Sequence, residues 1–249
     1  MSTPYPIVAL WCVPRSVSTA FERMMAARGD FTMFSEPFSD AYYFASNRVS
    51  ERFDIDPAIS YKSFEDSLEN IKSAAQQGPV FFKDMAYHVQ QHLSAEFLSD
   101  FINVVLVRDP RFSLASLYRR MPDFTLEETG FDALTQLVGI LDAAGKAPFV
   151  MDGDILRADP ERVSREFCRA VDIPFSPDAL SWSKGDEQHW DRWQDWFSEA
   201  SASTQFSKPR DSFDTSTLAV PHVADALEQC MPHYESISER VIQHSVATS

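Results

Sequence analysis

Short apolar runs alternate along the chain with longer segments in which apolar residues recur at helical spacing. Five of these runs have the length of buried strands: Ile7 to Val13, Thr32 to Ser35, Val80 to Phe82, Ile102 to Val107 and Phe149 to Met151. Buried strands that alternate with helices are typical of a parallel sheet with helices on its faces. The pattern therefore predicts an α/β, three-layer fold with a central, mostly parallel sheet of about five strands flanked by helices.

Helix signals follow most of these runs. The helix predicted at Thr19 to Arg28 has Ser18 as its candidate N-cap and Gly29 directly after its last residue, as helix caps require. Asp109-Pro110 and Asp159-Pro160 each place a capping side chain and a proline at the start of another helix. Apolar spacing predicts three more helices: Tyr61 to Gln77, Phe131 to Ala144, and Val223 to Val241 with an interruption at Pro232.

The strand signals end near residue 176. Beyond it, aromatic residues crowd together at spacing that favours packing in a helical core: Trp182, Trp190, Trp193, Trp196 and Phe197. A Ser- and Thr-rich segment containing Lys208-Pro209-Arg210 follows and predicts a loop. We therefore expect one domain over residues 1–249, with an α/β core to about 176 and a helical, loop-containing C-terminal region over 177–249.

The charge balance restricts the possible partners. The 249 residues include 37 Asp and Glu against 22 Lys and Arg, a formal net charge of −15. This charge repels nucleic acid and anionic membranes, so neither is expected as a partner. An anionic ligand would need a local cationic pocket. Three cysteines without close pairing, Cys12, Cys168 and Cys230, favour a reducing, cytoplasmic compartment.

Two further classes are disfavoured by what the sequence lacks. No apolar stretch approaches the ~20 residues of a membrane span, and no cationic segment precedes the first apolar run, so neither secretion nor a helical anchor is expected. The seven glycines are spaced so that neither G-x-G-x-x-G nor G-x-x-x-x-G-K-[ST] can form. A standard dinucleotide-binding fold or Walker NTPase is therefore not expected.

The segment after the first strand carries candidate anion-binding residues. Pro14-Arg15-Ser16-Val17-Ser18-Thr19 leads directly into a helix, and unpaired backbone N–H groups at such a helix start favour a phosphate. Arg15 adds a full charge. The alternative is that Ser18 and Thr19 only cap the helix and Arg15 forms a surface ion pair, and the segment alone does not decide between the two.

A second candidate lies after the fourth predicted strand. Arg108 stands at the strand end and Ser116 lies two turns into the next helix, so both can reach one anionic group beside the first loop. The alternative is an ion pair of Arg108 with an aspartate and a serine without function.

Together these segments resemble the sulfotransferases that use 3′-phosphoadenosine 5′-phosphosulfate (PAPS). In that family, a loop P-[K/R]-S-x-S/T-T binds the 5′-phosphosulfate, and a later strand–helix unit R-D-P-R-x-x-x-x-S binds the 3′-phosphate. Both occur here in that order and with the family's Arg108-to-Ser116 spacing. The stretch from Gly153 to Phe175 is similar to a structural segment of the family, and the resemblance covers about residues 6–176.

The resemblance implies a P-loop-like fold, PAPS as cosubstrate, no metal, and a small, partly apolar acceptor. It assigns cosubstrate binding to Pro14, Arg15, Ser16, Val17, Ser18, Thr19, Arg108 and Ser116. The loop departs from many members, which have glycine at Val17, and is closer to a bacterial subgroup with W-x-x-P-R-x-[IV]-S-T-A. A familiar C-terminal R-K-G-x-x-G loop is missing; Lys208 and Arg210 either replace it or form a surface turn.

Four residues are candidates for catalysis. Arg15 can neutralise charge on the bridging oxygen, while Glu36 and His88 are alternative general bases near strand ends. By resemblance, some bacterial members have a glutamate base near Glu36 and cytosolic enzymes a histidine base near His88. From the residues alone, Glu36 can equally be a solvated turn carboxylate and His88 a partly buried histidine of a helix. Lys83 either assists Arg15 or pairs with Asp84.

Sulfuryl transfer from PAPS to a hydroxyl or amine is thus the leading interpretation, with in-line transfer assisted by the phosphate loop and arginine charge. His88 and His92 lack a third neighbouring ligand, so no metal site is expected. A noncatalytic nucleotide-binding or scaffold protein with the same fold and a degenerate P-loop kinase are the alternatives.

Overall fold

The computed structural model describes residues 4–185, 198–208 and 215–241. Its sheet has five parallel strands in the order β2-β3-β1-β4-β5. The strands are β1 (Ile7–Cys12), β2 (Thr32–Ser35), β3 (Val80–Met85), β4 (Ile102–Val107) and β5 (Phe149–Asp152). The predicted α/β class and parallel sheet are confirmed.

Helices connect the strands and flank the sheet. They are α1 (Ser18–Arg28), α2 (Ser39–Tyr43), α3 (Phe64–Ala74), α4 (Ala95–Leu98), α5 (Pro110–Arg120), α6 (Phe131–Ala143), α7 (Gly153–Ala158), α8 (Pro160–Ala170), α9 (Ser198–Ser201) and α10 (Pro221–Ser238). Asp109 and Asp159 cap α5 and α8 as predicted, each accepting a hydrogen bond from a backbone N–H. In the described part of the chain, no helix is long and apolar enough to cross a membrane.

The centre of the sheet is the centre of the core. Every residue of β1 is buried, because β3 and β4 pair with its two edges. Trp11 is fully buried, and Phe82 and Phe101 pack edge-on against its ring. This apolar packing fixes β1, and with it the position of the loop that follows.

Several predicted boundaries are wrong. The strand expected at Val80 to Phe82 continues to Met85, so that Lys83 and Asp84 lie within it, fully buried. Ser18 does not cap α1; it is the first helical residue, and the residue before it, Val17, has no side-chain oxygen to offer. α10 runs through Pro232 without the expected interruption.

The helix expected at Tyr61 to Gln77 is shorter, because Ser63 forms a capping box with Asp66 and starts α3 at Phe64.

The C-terminal region returns to the core through α10. This helix packs on α5 and α6, and its Tyr234 hydroxyl donates to Asp152 at the end of β5 at 3.0 Å. Trp182 is buried against Phe206. Trp190, Trp193, Trp196 and Phe197 lie outside the described residues.

Candidate active site

The candidate site lies where the parallel strands end. β2 and β3 lie on one side of β1, and β4 and β5 on the other; a crevice opens at the carboxyl edge of such a sheet. Arg15, Glu36, His88 and Arg108 all follow strand ends and line one cavity of about 920 Å³. The structure therefore brings together the residues that the sequence singled out on four separate segments.

The loop after β1 has a strained backbone. Arg15 and Val17 have φ angles of 62° and 78°, in a region that residues with a side chain adopt at a cost of about 1–3 kcal/mol. Within the described part of the chain, the buried Ser16 hydroxyl oxygen has no hydrogen-bond partner, and α1 starts without a side-chain cap. Backbone N–H groups at this helix start and an unpaired hydroxyl suit an anionic oxygen.

Hydrogen bonds link this loop to the unit after β4. Nε of Arg15 donates to the Ser116 hydroxyl on α5 at 2.9 Å. Arg108 donates from one terminal nitrogen to the backbone carbonyl of Arg15 at 3.2 Å and from two nitrogens to Asp154. The loop after β1 and the segment that carries Arg108 are thus held together. Arg108 forms the ion pair with an aspartate that was considered as the alternative, and it lines the cavity as well.

Gly153 allows the close approach of β5 to the loop. It follows the end of β5, where Asp152 caps α7 by accepting from the backbone N–H groups of Asp154 and Ile155. A β-carbon on Gly153 would lie 2.3 Å from the Ser16 carbonyl oxygen. In the sequence, Gly153 stood out only as the start of a segment similar to one in the family. In the structure, the loop can lie this close to β5 only because residue 153 has no side chain.

Cationic side chains gather on the β4–β5 side of the cavity. Arg157 pairs with Asp154 at 3.6 Å and donates to the backbone carbonyls of Ser207 and Lys208. Arg119 lies one turn beyond Ser116 on α5 and also lines the cavity. The arginine-rich end, as we call it, comprises Arg15, Arg108, Arg119, Asp154, Arg157 and Lys208.

Lys208 is exposed and lines this end, while Arg210 lies outside the described residues.

Glu36 holds a buried ion pair on the opposite side. Its φ angle is 47°, and its Oε1 accepts a hydrogen bond from Lys83 at 2.7 Å. Lys83 is fully buried, and its Nζ lies 3.3 Å from Oε2 of Glu22, which is also fully buried. Of the two alternatives for Lys83, the pairing with Asp84 is replaced in the described chain by pairing with Glu36 and Glu22. Burial alone would lower the pKa of Lys83, but the two carboxylates outweigh it and raise the pKa above its ordinary value.

Lys83 does not line the cavity in the described chain, but it contacts Glu36, which does.

The partner of Asp84 is His88, and this contact orients the His88 ring. Nδ1 of His88 lies 2.6 Å from Oδ1 of Asp84, and the backbone N–H groups of Phe38 and Met85 also donate to this carboxylate. Because a carboxylate accepts hydrogen bonds, Nδ1 carries the proton in the neutral imidazole, and Nε2 is then left as an acceptor. Nε2 is buried and has no hydrogen-bond partner among the residues that the structure describes.

Aromatic rings surround His88. Tyr87 and Tyr43 lie edge-on to its ring at 4.4 and 5.3 Å between centroids, and their hydroxyls are 3.0 Å apart. Burial raises the pKa of both tyrosines well above the ordinary value, so both remain neutral phenols. The aromatic end of the cavity, as we call it, comprises Glu36, Tyr43, Arg52, Phe53, Tyr87 and His88.

Arg52 belongs to this end and was not found from the sequence. It pairs with the buried Glu128 and with Asp123 at 3.1 Å. These partners lie more than seventy positions away in the sequence, so no local motif signals the contact. Through these ion pairs, Arg52 connects the part of the cavity wall that contains Phe53 to the segment after α5.

Metal binding finds no support in the described residues, among which no group of three or more His, Cys, Asp or Glu side chains is placed to hold an ion.

Comparison with known proteins agrees with this geometry. A family model described as "Sulfotransferase domain" matches residues 6–241. The fold is similar to the sulfotransferase domain of the Synechococcus PCC 7002 olefin synthase, with a TM-score of 0.50, 15% identity, and coverage of 92% of this chain and 95% of that one.

Two Arabidopsis thaliana relatives, branched-chain-amino-acid aminotransferase-like proteins 2 and 1, are 29% and 28% identical over 92% and 96% of this chain. The chain spans only 40% and 42% of their lengths, and their names describe those longer proteins. Because the family match covers nearly all of the chain, the chain belongs to the sulfotransferase domain family.

Proposed function

We propose that the protein transfers a sulfuryl group from PAPS to a hydroxyl or amine of a small, partly apolar acceptor. The observation that carries this proposal is the shared cavity in which Arg15 and Arg108 meet. A doubly phosphorylated nucleotide needs two cationic groups in one cleft, and a charge-assisted hydrogen bond contributes about 1.5–3 kcal/mol.

The residues present fit such a ligand. No described residue forms a hydrogen bond with the buried Ser16 hydroxyl, and the space that a side chain at Gly153 would occupy is taken by the loop itself. Arg15 and the loop from Pro14 to Thr19 would hold the 5′-phosphosulfate, while Arg108 and Ser116 would hold the 3′-phosphate. When bound, PAPS supplies the sulfuryl group and leaves as 3′-phosphoadenosine 5′-phosphate (PAP).

His88 is the proposed general base for a hydroxyl acceptor. Its unpartnered Nε2 can take the hydroxyl proton while the acceptor oxygen forms its bond to sulfur, and Asp84 stabilises the imidazolium that results. Glu36 is less suited to this role because Lys83 already donates to its Oε1. Tyr43 and Tyr87, with raised pKa values, cannot serve as bases near neutral pH.

Arg15 is the proposed electrostatic catalyst. Its guanidinium lies on the loop that would hold the leaving phosphate, where negative charge builds as the bond to sulfur breaks. Lys83, enclosed away from the cavity, would act only by fixing Glu36.

Ligand selectivity tests this proposal. Isothermal titration should show PAP binding about tenfold or more tightly than adenosine 5′-phosphate or adenosine 3′-phosphate, since each monophosphate loses one charged contact. Equal affinity for PAP and a monophosphate would mean that only one phosphate is bound, and the proposed function would be wrong.

A further inference from the structure

The two ends of the cavity differ in charge. At the arginine-rich end, Asp154 is the only carboxylate among the described lining residues, and it is shared by Arg108 and Arg157. Formal positive charge is therefore in excess there. This excess suits a nucleotide, so the opposite end is left for the acceptor.

At the aromatic end, each cation is balanced by two carboxylates. Lys83 contacts both Glu22 and Glu36. Arg52 contacts both Glu128 and Asp123. Each of these clusters carries one formal negative charge, so the aromatic end does not attract an anionic acceptor.

Glu36 carries this negative charge to the cavity surface. Its side chain is 8% exposed, and within the described chain only Oε1 has a side-chain partner, Lys83. Oε2 accepts no hydrogen bond from the described residues and is not among their buried atoms, so a ligand in the cavity can reach it. A charge-assisted hydrogen bond from a ligand to this oxygen would contribute about 1.5–3 kcal/mol.

The rings beside Glu36 suit the same kind of donor. Tyr43, Phe53 and Tyr87 line the cavity, and Tyr43 lies 5.2 Å from Phe53 between ring centroids. Neutral aromatic faces attract a cation by about 0.5–2 kcal/mol and exclude water from it. A carboxylate beside aromatic rings is a combination that recognises an ammonium group.

We propose that the acceptor is an alcohol or phenol that carries a protonated amine on an aromatic or apolar frame, with Oε2 of Glu36 as the counter-ion of the ammonium and His88 as the base for the hydroxyl. This inference rests on the proposed function. The hydroxyl proton passes to Nε2 of His88, the acceptor oxygen bonds to sulfur, and the sulfur–oxygen bond to the 5′-phosphate breaks. The ammonium keeps its protons throughout.

Three ligands of similar shape test the charge preference. They are 4-(2-aminoethyl)phenol, 4-propylphenol and 4-hydroxyphenylacetate, which are cationic, neutral and anionic. PAP binding is confirmed first, by a rise in melting temperature. Binding of each phenol to the PAP-loaded protein is then measured by isothermal titration, and KM and kcat are measured with PAPS.

Glu36→Gln is the informative variant, because a glutamine oxygen can still accept from Lys83 while the negative charge is lost. Glu69→Gln, on the exposed face of α3, is the matched control. The wild type and the control should bind the amine about tenfold or more tightly than the neutral phenol and should bind the anion most weakly. In Glu36→Gln, KM for the amine should rise to that of the neutral phenol.

Three results would overturn the proposal. They are equal binding of the anion and the amine, absence of binding of the amine to the PAP-loaded protein, and loss of kcat for all phenols in Glu36→Gln, which would make Glu36 a base. If that variant does not fold, the ranking of the three ligands by the wild type decides alone. Failure of PAP itself to bind would instead contradict the proposed function.

Discussion

Arg108 donates a hydrogen bond to the backbone carbonyl oxygen of Arg15 at 3.2 Å. The two residues are 93 positions apart, and each follows a strand that pairs in the same sheet. The contact places the guanidinium of Arg108 against the loop that carries Arg15. The two segments that the sequence identified separately are thereby parts of one site.

Gly153→Ala should disrupt this site from the side of β5. The new β-carbon would lie 2.3 Å from the Ser16 carbonyl oxygen, so the loop must move. We expect a loss of about 1–3 kcal/mol in the free energy of unfolding and a PAP affinity at least tenfold weaker, measured by urea unfolding and isothermal titration.

Gly139→Ala is the control for that variant. Gly139 lies inside α6, and a β-carbon added there would meet no atom within 4 Å outside its own helical turn. Alanine should therefore stabilise the helix by about 0.5–1 kcal/mol and leave PAP binding unchanged. Wild-type PAP affinity in Gly153→Ala would show that the close approach is unimportant.

His88→Gln and Asp84→Asn should separate catalysis from binding. Removal of the base should lower kcat by about 10²–10⁴-fold with any acceptor the wild type sulfates, while the PAP-induced rise in melting temperature persists. Asp84→Asn should lower kcat and alter its pH profile with little change in KM, because it acts by orienting His88. Unchanged kcat in both variants would remove His88 from the mechanism.

Lys83→Met should destabilise the protein in a pH-dependent way. The wild-type pKa of Lys83 is raised above its ordinary 10.5, so its stabilisation is complete below about pH 10.5 and is lost as the pH rises further. Without the ammonium, the buried carboxylates of Glu22 and Glu36 lose the cation that lies between them, at a cost of about 3–5 kcal/mol.

The difference in the free energy of unfolding between the wild type and Lys83→Met should therefore be largest below about pH 10.5 and should shrink as the pH rises further, because the wild type then loses its charged Lys83. Urea unfolding at several pH values measures this effect. Lys72→Met is the control, because its pair with Asp100 is partly exposed and should contribute at most about 1 kcal/mol. An equal loss at every pH would contradict this account of the buried ions.

Local patterns in the sequence were sufficient for the fold. Apolar runs marked all five strands, and Asp-Pro pairs marked the starts of α5 and α8. The Lys83 segment was interpreted incorrectly because a charged pair normally ends a buried strand. Here two carboxylates from other elements neutralise Lys83, and backbone N–H groups bind Asp84, so β3 continues.

The site was predictable only where short motifs mark it. Arg15, Arg108 and Ser116 stand in such motifs, and the structure places them together. Arg52 and Asp154 have no comparable signal, because their partners are distant in sequence. The proposal of His88 rather than Glu36 as the base also draws on the structure, since it rests on which atom already has a partner among the described residues.

Thermal unfolding with PAP is the most direct test of the central claim that Arg15 and Arg108 hold one nucleotide. At ~100 times its dissociation constant, PAP should stabilise the wild type by about 2.7 kcal/mol. Arg15→Ala and Arg108→Ala should each abolish this shift, whereas Arg165→Ala, on an exposed pair of α8, should retain it. A wild-type melting temperature unchanged by millimolar PAP, or a full shift in both site variants, would contradict the account.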